Sequence, residues 1–340
     1  MNDQLSVDPV AIEQEIQKQI SAVSATAARA SLFTLVIFKQ AFAPGPADTA
    51  LNFLLGKRPG RIILVESGFE GASSAQVSAR CDPRLKNIEV CFQEIHIRNG
   101  ADDIGRDPAF WGPLIIRELP AFVWWLEPIL PFPELLRQAD EVTDRFLIDG
   151  SFQEGFKIPP GRLYRELTAR WEYGTSTAYA DFAWSTTLPL RKASARLFEP
   201  EGERENLYLI EKIRLEAGGR AEALLFFFWL ASRLGWKVAG RSGNTLQAKD
   251  RDRHEVSFDH SPGKGLDRGY HLEFQLRSGK QYVLSCGENG LTCMTRPEAQ
   301  SQPLRFEVPT AGEILLRELD APQPDLLFYQ ALQAAREGFA

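Results

Sequence analysis

A strand, a helix and a second strand follow one another near residue 130, and this unit constrains the fold most. Residues 122–125 are predicted to form a short aromatic strand. Residues 133–142 have a helical pattern, and residues 145–148 are predicted to form another strand. Strands joined by one helix are expected to lie parallel, because this crossover is right-handed in nearly all proteins. Further buried strands are predicted at 32–38 and 61–65, so the first half of the chain is predicted to be α/β.

The second half changes from helices to short strands and tight turns. Residues 221–234 are apolar on nearly every side, so this helix should be enclosed, and Gly235 is placed to end it. From residue 237 to residue 308, short apolar runs alternate with turn signals. This pattern predicts a β-meander beside helices.

These patterns divide the chain into two predicted domains. The polar stretch that contains Pro159-Pro160 marks the boundary. We expect an α/β N-terminal domain with a mixed sheet at residues 1–155. Residues 156–340 are expected to form an α+β C-terminal domain with helices and a β-meander.

Composition excludes several classes of protein. Of 340 residues, 44% are hydrophobic, which is enough for a sizeable core, and the net charge of −6 argues against a nucleic-acid partner. The longest apolar run, residues 223–231, is too short to cross a membrane. The polar start of the chain and its four cysteines favour a reducing compartment, so the predicted location is cytoplasmic.

Motifs for catalysis and cofactor binding are missing from the sequence. It contains no Gly-x-Gly-x-x-Gly, no Gly-Lys-Ser/Thr loop and no Gly-x-Ser-x-Gly elbow. His254 and His260 would lie about 20 Å apart on one strand face, which is too far for a shared metal ion. We therefore expect no catalytic residue, no cofactor and no metal site.

Trp124 and Trp125 are adjacent on a predicted strand, so their side chains should point to opposite faces. One should enter the core, and the other should meet either a helix layer or a partner. Two interpretations stay open: both are core residues, or one is an exposed anchor for a binding partner.

Polar residues follow two predicted strands. Asp149 and Ser151 come after residues 145–148, and Glu66 and Ser67 come after residues 61–65. Because ligands bind outside the carboxyl ends of parallel strands, these side chains could line a polar crevice. Helix capping and turn formation explain them equally well.

The four cysteines form two pairs of near neighbours in the sequence, Cys81 with Cys91 and Cys286 with Cys293. If Asn289-Gly290 forms a two-residue hairpin turn, Cys286 lies directly opposite Cys293, which would make them a candidate redox pair. Two reduced core cysteines are the alternative interpretation. Cys81 and Cys91 are not expected to face each other, because a tight turn would place Cys81 opposite a residue near position 88.

Five blocks of the sequence carry a resemblance to a known family. They are Leu-Pro-Ala-Phe-Val-Trp-Trp at 119–125, Phe-Leu-Ile-Asp-Gly-Ser at 146–151, Asp-Phe-Ala-Trp at 181–184 with Leu-Pro-Leu-Arg at 188–191, Trp-Leu-Ala-Ser-Arg-Leu-Gly-Trp at 229–236, and Leu-Leu-Arg-Glu-Leu at 315–319 with Asp325 and Tyr329. Together these blocks resemble the family of glucose-6-phosphate dehydrogenase assembly proteins (OpcA), and the first is similar to the Leu-Pro-x-x-x-Trp-Trp signature of that family.

The resemblance implies a non-catalytic assembly factor and allosteric activator that binds glucose-6-phosphate dehydrogenase in the oxidative pentose phosphate pathway. The expected partner-binding or ligand-binding residues are Trp124, Trp125, Asp149, Ser151, Asp181, Trp184 and Arg191. An alternative is an enzyme or sensor that binds a phosphorylated sugar in the crevice of the N-terminal domain.

Overall fold

The computed structural model describes residues 5–23, 31–41, 45–54, 57–82, 90–131, 133–172, 177–242, 245–263, 266, 269–286, 291–297 and 299–339. The chain forms two compact units. The first unit contains Met1–Asp149, Thr175–Ala180 and Thr310–Pro324, and the second contains Gly150–Gly174, Asp181–Pro309 and Asp325–Ala340. Each unit therefore combines three segments of the chain, and the domain boundary at residue 155 stays a prediction.

The first unit has a seven-stranded sheet with the order β3-β4-β2-β1-β5-β6-β7. Its strands are β1 Thr34–Gln40, β2 Arg61–Ser67, β3 Ser74–Asp82, β4 Val90–Asn99, β5 Ala121–Leu126, β6 Arg145–Ile148 and β7 Ala178–Asp181. β4, β2, β1, β5 and β6 pair in parallel, and β3 pairs antiparallel with β4. The parallel pairing of β5 and β6 confirms the parallel pair expected from the sequence.

The helices of the first unit are α1 Pro9–Val23, α2 Pro46–Leu54, α3 Pro108–Trp111, α4 Glu134–Asp140 and α10 Ala311–Asp320. Its core lies along the central strands, where every residue of β5 is buried. The register also places Cys81 opposite Cys91. The expected partner near position 88 is therefore wrong, because the ladder that fixes the register runs from Ser74 opposite Arg98 to Asp82 opposite Val90.

The second unit has an eight-stranded sheet with the order β15-β14-β13-β12-β8-β11-β10-β9. The strands are β8 Ile210–Glu216, β9 Lys237–Ser242, β10 Thr245–Lys249, β11 Glu255–Ser261, β12 Tyr270–Leu276, β13 Gln281–Cys286, β14 Leu291–Thr295 and β15 Gln302–Arg305. Successive strands pair antiparallel from β9 to β11 and from β12 to β15. β8 joins the two groups, parallel to β11 and antiparallel to β12.

The helices of the second unit are α5 Gly150–Gly155, α6 Pro160–Glu172, α7 Phe182–Thr186, α8 Leu188–Leu197, α9 Arg220–Leu234 and α11 Leu326–Phe339. α9 is buried around most of its surface, and Gly235 ends it with a φ of 69°. Only glycine adopts this left-handed conformation without a steric cost. Both features match the sequence prediction. No described helix combines the length and the apolar character that a membrane span requires.

The hairpin of β13 and β14 differs from the prediction. Cys286 pairs with Thr292, and Cys293 pairs with Ser285, so the two cysteines are not opposite each other. Neighbouring residues on a strand point to opposite faces, and a shift of one position therefore puts Cys286 and Cys293 on different faces of the sheet. The turn at Asn289-Gly290 lies outside the described residues, and neither Cys286 nor Cys293 forms a disulfide.

Candidate functional site

Asp181 is the centre of a buried network in the second unit. Its carboxylate is 1% exposed. Oδ1 accepts hydrogen bonds from the backbone N–H of Ala183 at 2.7 Å and of Gly150 at 3.1 Å, and Oδ2 accepts one from the Tyr164 hydroxyl at 3.0 Å. A side chain at Gly150 would begin 2.2 Å from that hydroxyl, which explains the glycine at this position. The carboxylate therefore joins the starts of α5 and α7 to α6.

Trp184, one turn later, is also buried, and it connects α7 to α11. Its indole Nε1 donates a hydrogen bond to Asp325 Oδ2 at 2.7 Å, and its ring lies 5.5 Å from the ring of Phe328. The other carboxylate oxygen, Asp325 Oδ1, accepts from the backbone N–H of Leu327 at 2.9 Å. One aspartate thus caps α11 and positions the tryptophan.

Arg191 completes what we call the Asp181 network, which also contains Trp184 and Asp325. The guanidinium carbon of Arg191 lies 3.5 Å from the centre of the Trp184 ring, in a cation–π contact. Its Nη2 donates to the Trp184 carbonyl at 3.2 Å, and its Nε donates to Thr187 Oγ1 at 3.1 Å. The side chain is 6% exposed. The structure therefore brings Asp181, Trp184 and Arg191 together inside the unit, where they connect five helices, α5, α6, α7, α8 and α11.

Trp124 and Trp125 are both 0% exposed, so the interpretation of an exposed anchor is wrong for this structure. The Trp125 ring lies 5.0 Å from Phe38 and 6.1 Å from Phe146, within the aromatic core of the first sheet. The β5 strand is central, and elements of the fold cover both of its faces. Alternation places the two rings on opposite sides, but it does not leave either of them on the surface.

The edge at the carboxyl ends of the first sheet carries paired charges. Glu66, which is 8% exposed, binds Lys39 Nζ at 2.8 Å and His96 Nε2 at 2.7 Å. Burial raises the pKa of the Glu66 carboxyl, but the hydrogen bonds from His96 and Lys39 outweigh this effect and lower its pKa to about 2. Nearby, Arg106 donates to Ser67 Oγ at 3.1 Å and pairs with Glu127 at 2.8 Å. Internal partners thus engage both Glu66 and Ser67, the residues that were expected in a polar crevice.

Asp149 and Ser151 are partly buried and belong to different units. Asp149 follows β6 in the first unit, and Ser151 lies in α5 of the second. A ligand-binding role for either residue stays a prediction.

The histidines considered for metal binding each have a local partner. His254 Nδ1 lies 3.3 Å from Asp250 Oδ2, and His260 Nε2 lies 3.0 Å from the Ala217 carbonyl. Asp250, Asp252 and His254 offer ligand atoms within 4.8 Å of one another. However, Asp250 already accepts hydrogen bonds from Arg277 and from two backbone N–H groups, which is the pattern of a structural turn.

Sequence reasoning missed Tyr164 and Thr187, and it named Asp325 only as part of a resemblance. Tyr164 is separated by 17 residues from Asp181, and Asp325 by 141 from Trp184. No local pattern connects such positions. The one available signal was the recurrence of Asp181, Trp184, Arg191 and Asp325 in blocks of one family.

Comparison with protein-family models gives two matches in order along the chain. Residues 52–165 match the N-terminal domain of a glucose-6-phosphate dehydrogenase subunit, and residues 177–332 match the C-terminal domain of such a subunit. Together they include the whole of the Asp181 network.

Curated relatives come from cyanobacteria. A candidate OxPP cycle protein named OpcA from Synechococcus elongatus is 27% identical over 192 residues, and its counterpart from Synechocystis sp. is 29% identical over 222 residues. The matches cover 55% and 63% of this chain but only 42% and 44% of the relatives, so the chain spans less than half of their length.

Among solved structures, a dehydrogenase from Chromobacterium violaceum is similar with a TM-score of 0.49 and 10% sequence identity, over 90% of this chain and 93% of that one. The sequence relationship is the informative one, because two models of one family match in the expected order. These ordered matches show that the chain belongs to the family of glucose-6-phosphate dehydrogenase assembly proteins, OpcA.

Proposed function

We propose that this chain is a non-catalytic assembly factor that binds glucose-6-phosphate dehydrogenase and activates it allosterically in the oxidative pentose phosphate pathway. The observation that carries the proposal is the ordered match to the two domain models, whose descriptions name a glucose-6-phosphate dehydrogenase subunit. The names of the curated relatives, which refer to the OxPP cycle, support the same pathway.

Activation of this kind requires a surface and no chemistry. A protein that binds the active form of an enzyme more tightly than the inactive form shifts the population toward the active form. Couplings of this kind typically reach about 1–3 kcal/mol. The carboxylates of Asp181 and Glu66 are bound to other groups of the chain, which supports a structural role for them.

The start of α11 supplies a surface of the right kind. Leu326 is 69% exposed and Leu327 is 42% exposed, although both are large apolar residues. They directly follow Asp325, whose carboxylate is fixed by Trp184, so this helix start is held rigidly. Exposed apolar side chains on a rigid element are typical of protein contacts. We propose that Leu326 and Leu327 contact the dehydrogenase.

The test is a titration of the dehydrogenase from the same organism with the purified chain. We expect dehydrogenase activity to rise and saturate at micromolar chain, which corresponds to about −8 kcal/mol of binding. The double variant L326E/L327E should weaken the apparent affinity at least tenfold. V142E is the matched control, because Val142 is also apolar and 46% exposed but lies in the first unit. An equal loss in both variants would contradict the contact, and no activation at any concentration would contradict the function.

A further inference from the structure

A cavity of about 300 Å³ lies within the second unit, lined by α6, α9 and one face of the sheet. On β10, Leu246 is the register partner of Arg241 on β9 and of Phe258 on β11. Residues paired in this way point to the same face, so the three side chains form a row. Leu246 and Phe258 are buried and give the cavity an apolar floor.

Four arginines line this space, which we call the arginine cavity: Arg162, Arg165, Arg220 and Arg241. Arg162 and Arg165 are one turn apart near the start of α6, and Arg220 is the first residue of α9. Among the described residues that line the cavity, none carries a carboxylate. Positive charges around one small space repel each other, and an anion between them converts this repulsion into attraction.

The charges of Arg162, Arg165 and Arg220 are weakly compensated by the described residues. Within the described residues, neither Arg162 nor Arg220 forms an ion pair. Arg165 approaches the carboxylate of its neighbour Glu166 at 3.9 Å, but both side chains are well exposed, so this pair is weak. Glu154 accepts a hydrogen bond from the Ala221 N–H at 2.8 Å and thereby caps α9. The guanidinium groups, rather than the helix end, are therefore the groups that can hold an anion.

His260 adds a neutral polar group to the lining. The Ala217 carbonyl, 3.0 Å from Nε2, can only accept, so Nε2 carries a proton and donates it. Burial lowers the pKa of His260, and the positive charge of Arg220 lowers this pKa further. The imidazole is therefore neutral at pH 7, and its Nδ1 is able to accept a hydrogen bond from a hydroxyl group.

We propose that the arginine cavity binds a small phosphate ester, with its ring on the floor of Leu246 and Phe258 and its phosphate between the arginines. The planar guanidinium group donates two parallel hydrogen bonds to phosphate oxygens, which is the strongest pairing available to this anion. A volume of about 300 Å³ suits a single sugar or nucleoside monophosphate. The proposal holds whether or not the chain binds the dehydrogenase.

Calorimetric titration of the full chain with four probes tests the ligand class. Glucose 6-phosphate and AMP carry a phosphate, and glucose and adenosine are their neutral parents. We expect at least one phosphate ester to bind with a submillimolar Kd, and its parent to bind at least tenfold more weakly. The better of the two esters distinguishes a sugar site from a nucleotide site. Equal binding of ester and parent, or no binding of either ester at millimolar concentration, would overturn the proposal.

Variants test the site. R162Q/R220Q should weaken binding of the better ester at least tenfold, and the Tm of the unliganded protein should not fall, because the repulsion is reduced. R305Q is the control, since the Arg305 side chain is 86% exposed and lies outside the cavity. If the glutamine variant does not fold, R162K/R220K keeps the charge but removes the two-pronged donor, and it should still weaken binding. An equal loss in R305Q, or unchanged affinity in the folded cavity variants, would place the ligand elsewhere.

Discussion

The edge of the first sheet and the arginine cavity of the second unit both gather charged side chains, but they differ in what neutralises them. At the edge, Glu66 lies between Lys39 and His96, so the chain supplies both signs of charge. In the cavity, the described lining supplies arginines and no carboxylate. The difference indicates that groups with internal partners support the fold, whereas Arg162 and Arg220, which form no ion pair with a described residue, are available to a ligand.

The largest effect on stability is expected in the Asp181 network, where all the partners are internal. D181A would leave three buried donors without an acceptor, namely the N–H groups of Gly150 and Ala183 and the hydroxyl of Tyr164. We expect the free energy of unfolding in urea to fall by about 4 kcal/mol, since each buried unsatisfied donor costs about 1–3 kcal/mol. D252A, at an exposed aspartate, should leave the free energy of unfolding nearly unchanged. A small effect of D181A would contradict a structural role.

Substitution of Glu66, which binds Lys39 and His96, should have the next largest effect on the free energy of unfolding. E66A removes the closer of the two carboxylates that Lys39 contacts and leaves only Asp48, at 3.4 Å. Hydrogen bonds to charged groups contribute about 1.5–3 kcal/mol, so we expect a loss of about 2 kcal/mol in the free energy of unfolding. E134A removes a carboxylate from an exposed ion pair with Arg137 and serves as the control, with little change expected. If both variants behaved alike, the distinction between the buried edge and the surface would fail.

The same carboxylate predicts a pH dependence. The pKa of Glu66 is lowered to about 2 in the folded chain, from an ordinary value of 4.5 that applies to the unfolded chain. A lowered pKa in the folded state means that the pair stabilises the fold fully above pH 4.5, and that this stability is lost as the pH falls toward 2. Urea unfolding between pH 6 and pH 2.5 should therefore show a steeper loss in the wild type than in E66Q. Parallel curves would show that Glu66 is not the titrating group.

The arginine cavity should give the smallest effect on stability. R162Q and R220Q each remove a charge that forms no ion pair with a described residue. We expect the free energy of unfolding to change by less than about 0.5 kcal/mol, which is typical of substitutions away from packed or paired groups. A loss as large as that of E66A would show that these arginines have internal partners, and the contrast between the two regions would disappear.

The sequence predicts the fold better than it predicts the sites. Helices and strands follow from patterns among neighbouring residues, whereas each site combines residues that are far apart in the sequence. The strand–helix–strand unit at 122–148 and the enclosed helix α9 follow from local periodicity. The hairpin that contains Cys286 was predicted with the wrong register, because one residue more or fewer in a turn shifts every pair of the ladder. The arginine cavity was missed because its residues are spread from 162 to 241 along the chain. Burial of both tryptophans depends on the layers that cover β5, which no property of residues 124 and 125 encodes.

Family resemblance supplied what periodicity could not. It pointed to Asp181, Trp184 and Arg191 as a group, and the structure brings these three residues together in one network. It did not distinguish a contact residue from a residue that supports a contact. Because all three are buried, a direct contact with a partner has to involve exposed neighbours such as Leu326 and Leu327.

Light scattering during size-exclusion chromatography gives the mass of the dehydrogenase with and without this chain. This measurement is a direct test of the proposed assembly function. We predict that at about 10 μM, above a micromolar Kd, the chain co-elutes with the dehydrogenase. The assembled form should increase, and the pooled peak should have higher specific activity. Two separate peaks with the masses of the individual proteins, together with unchanged dehydrogenase activity, would contradict the assembly function.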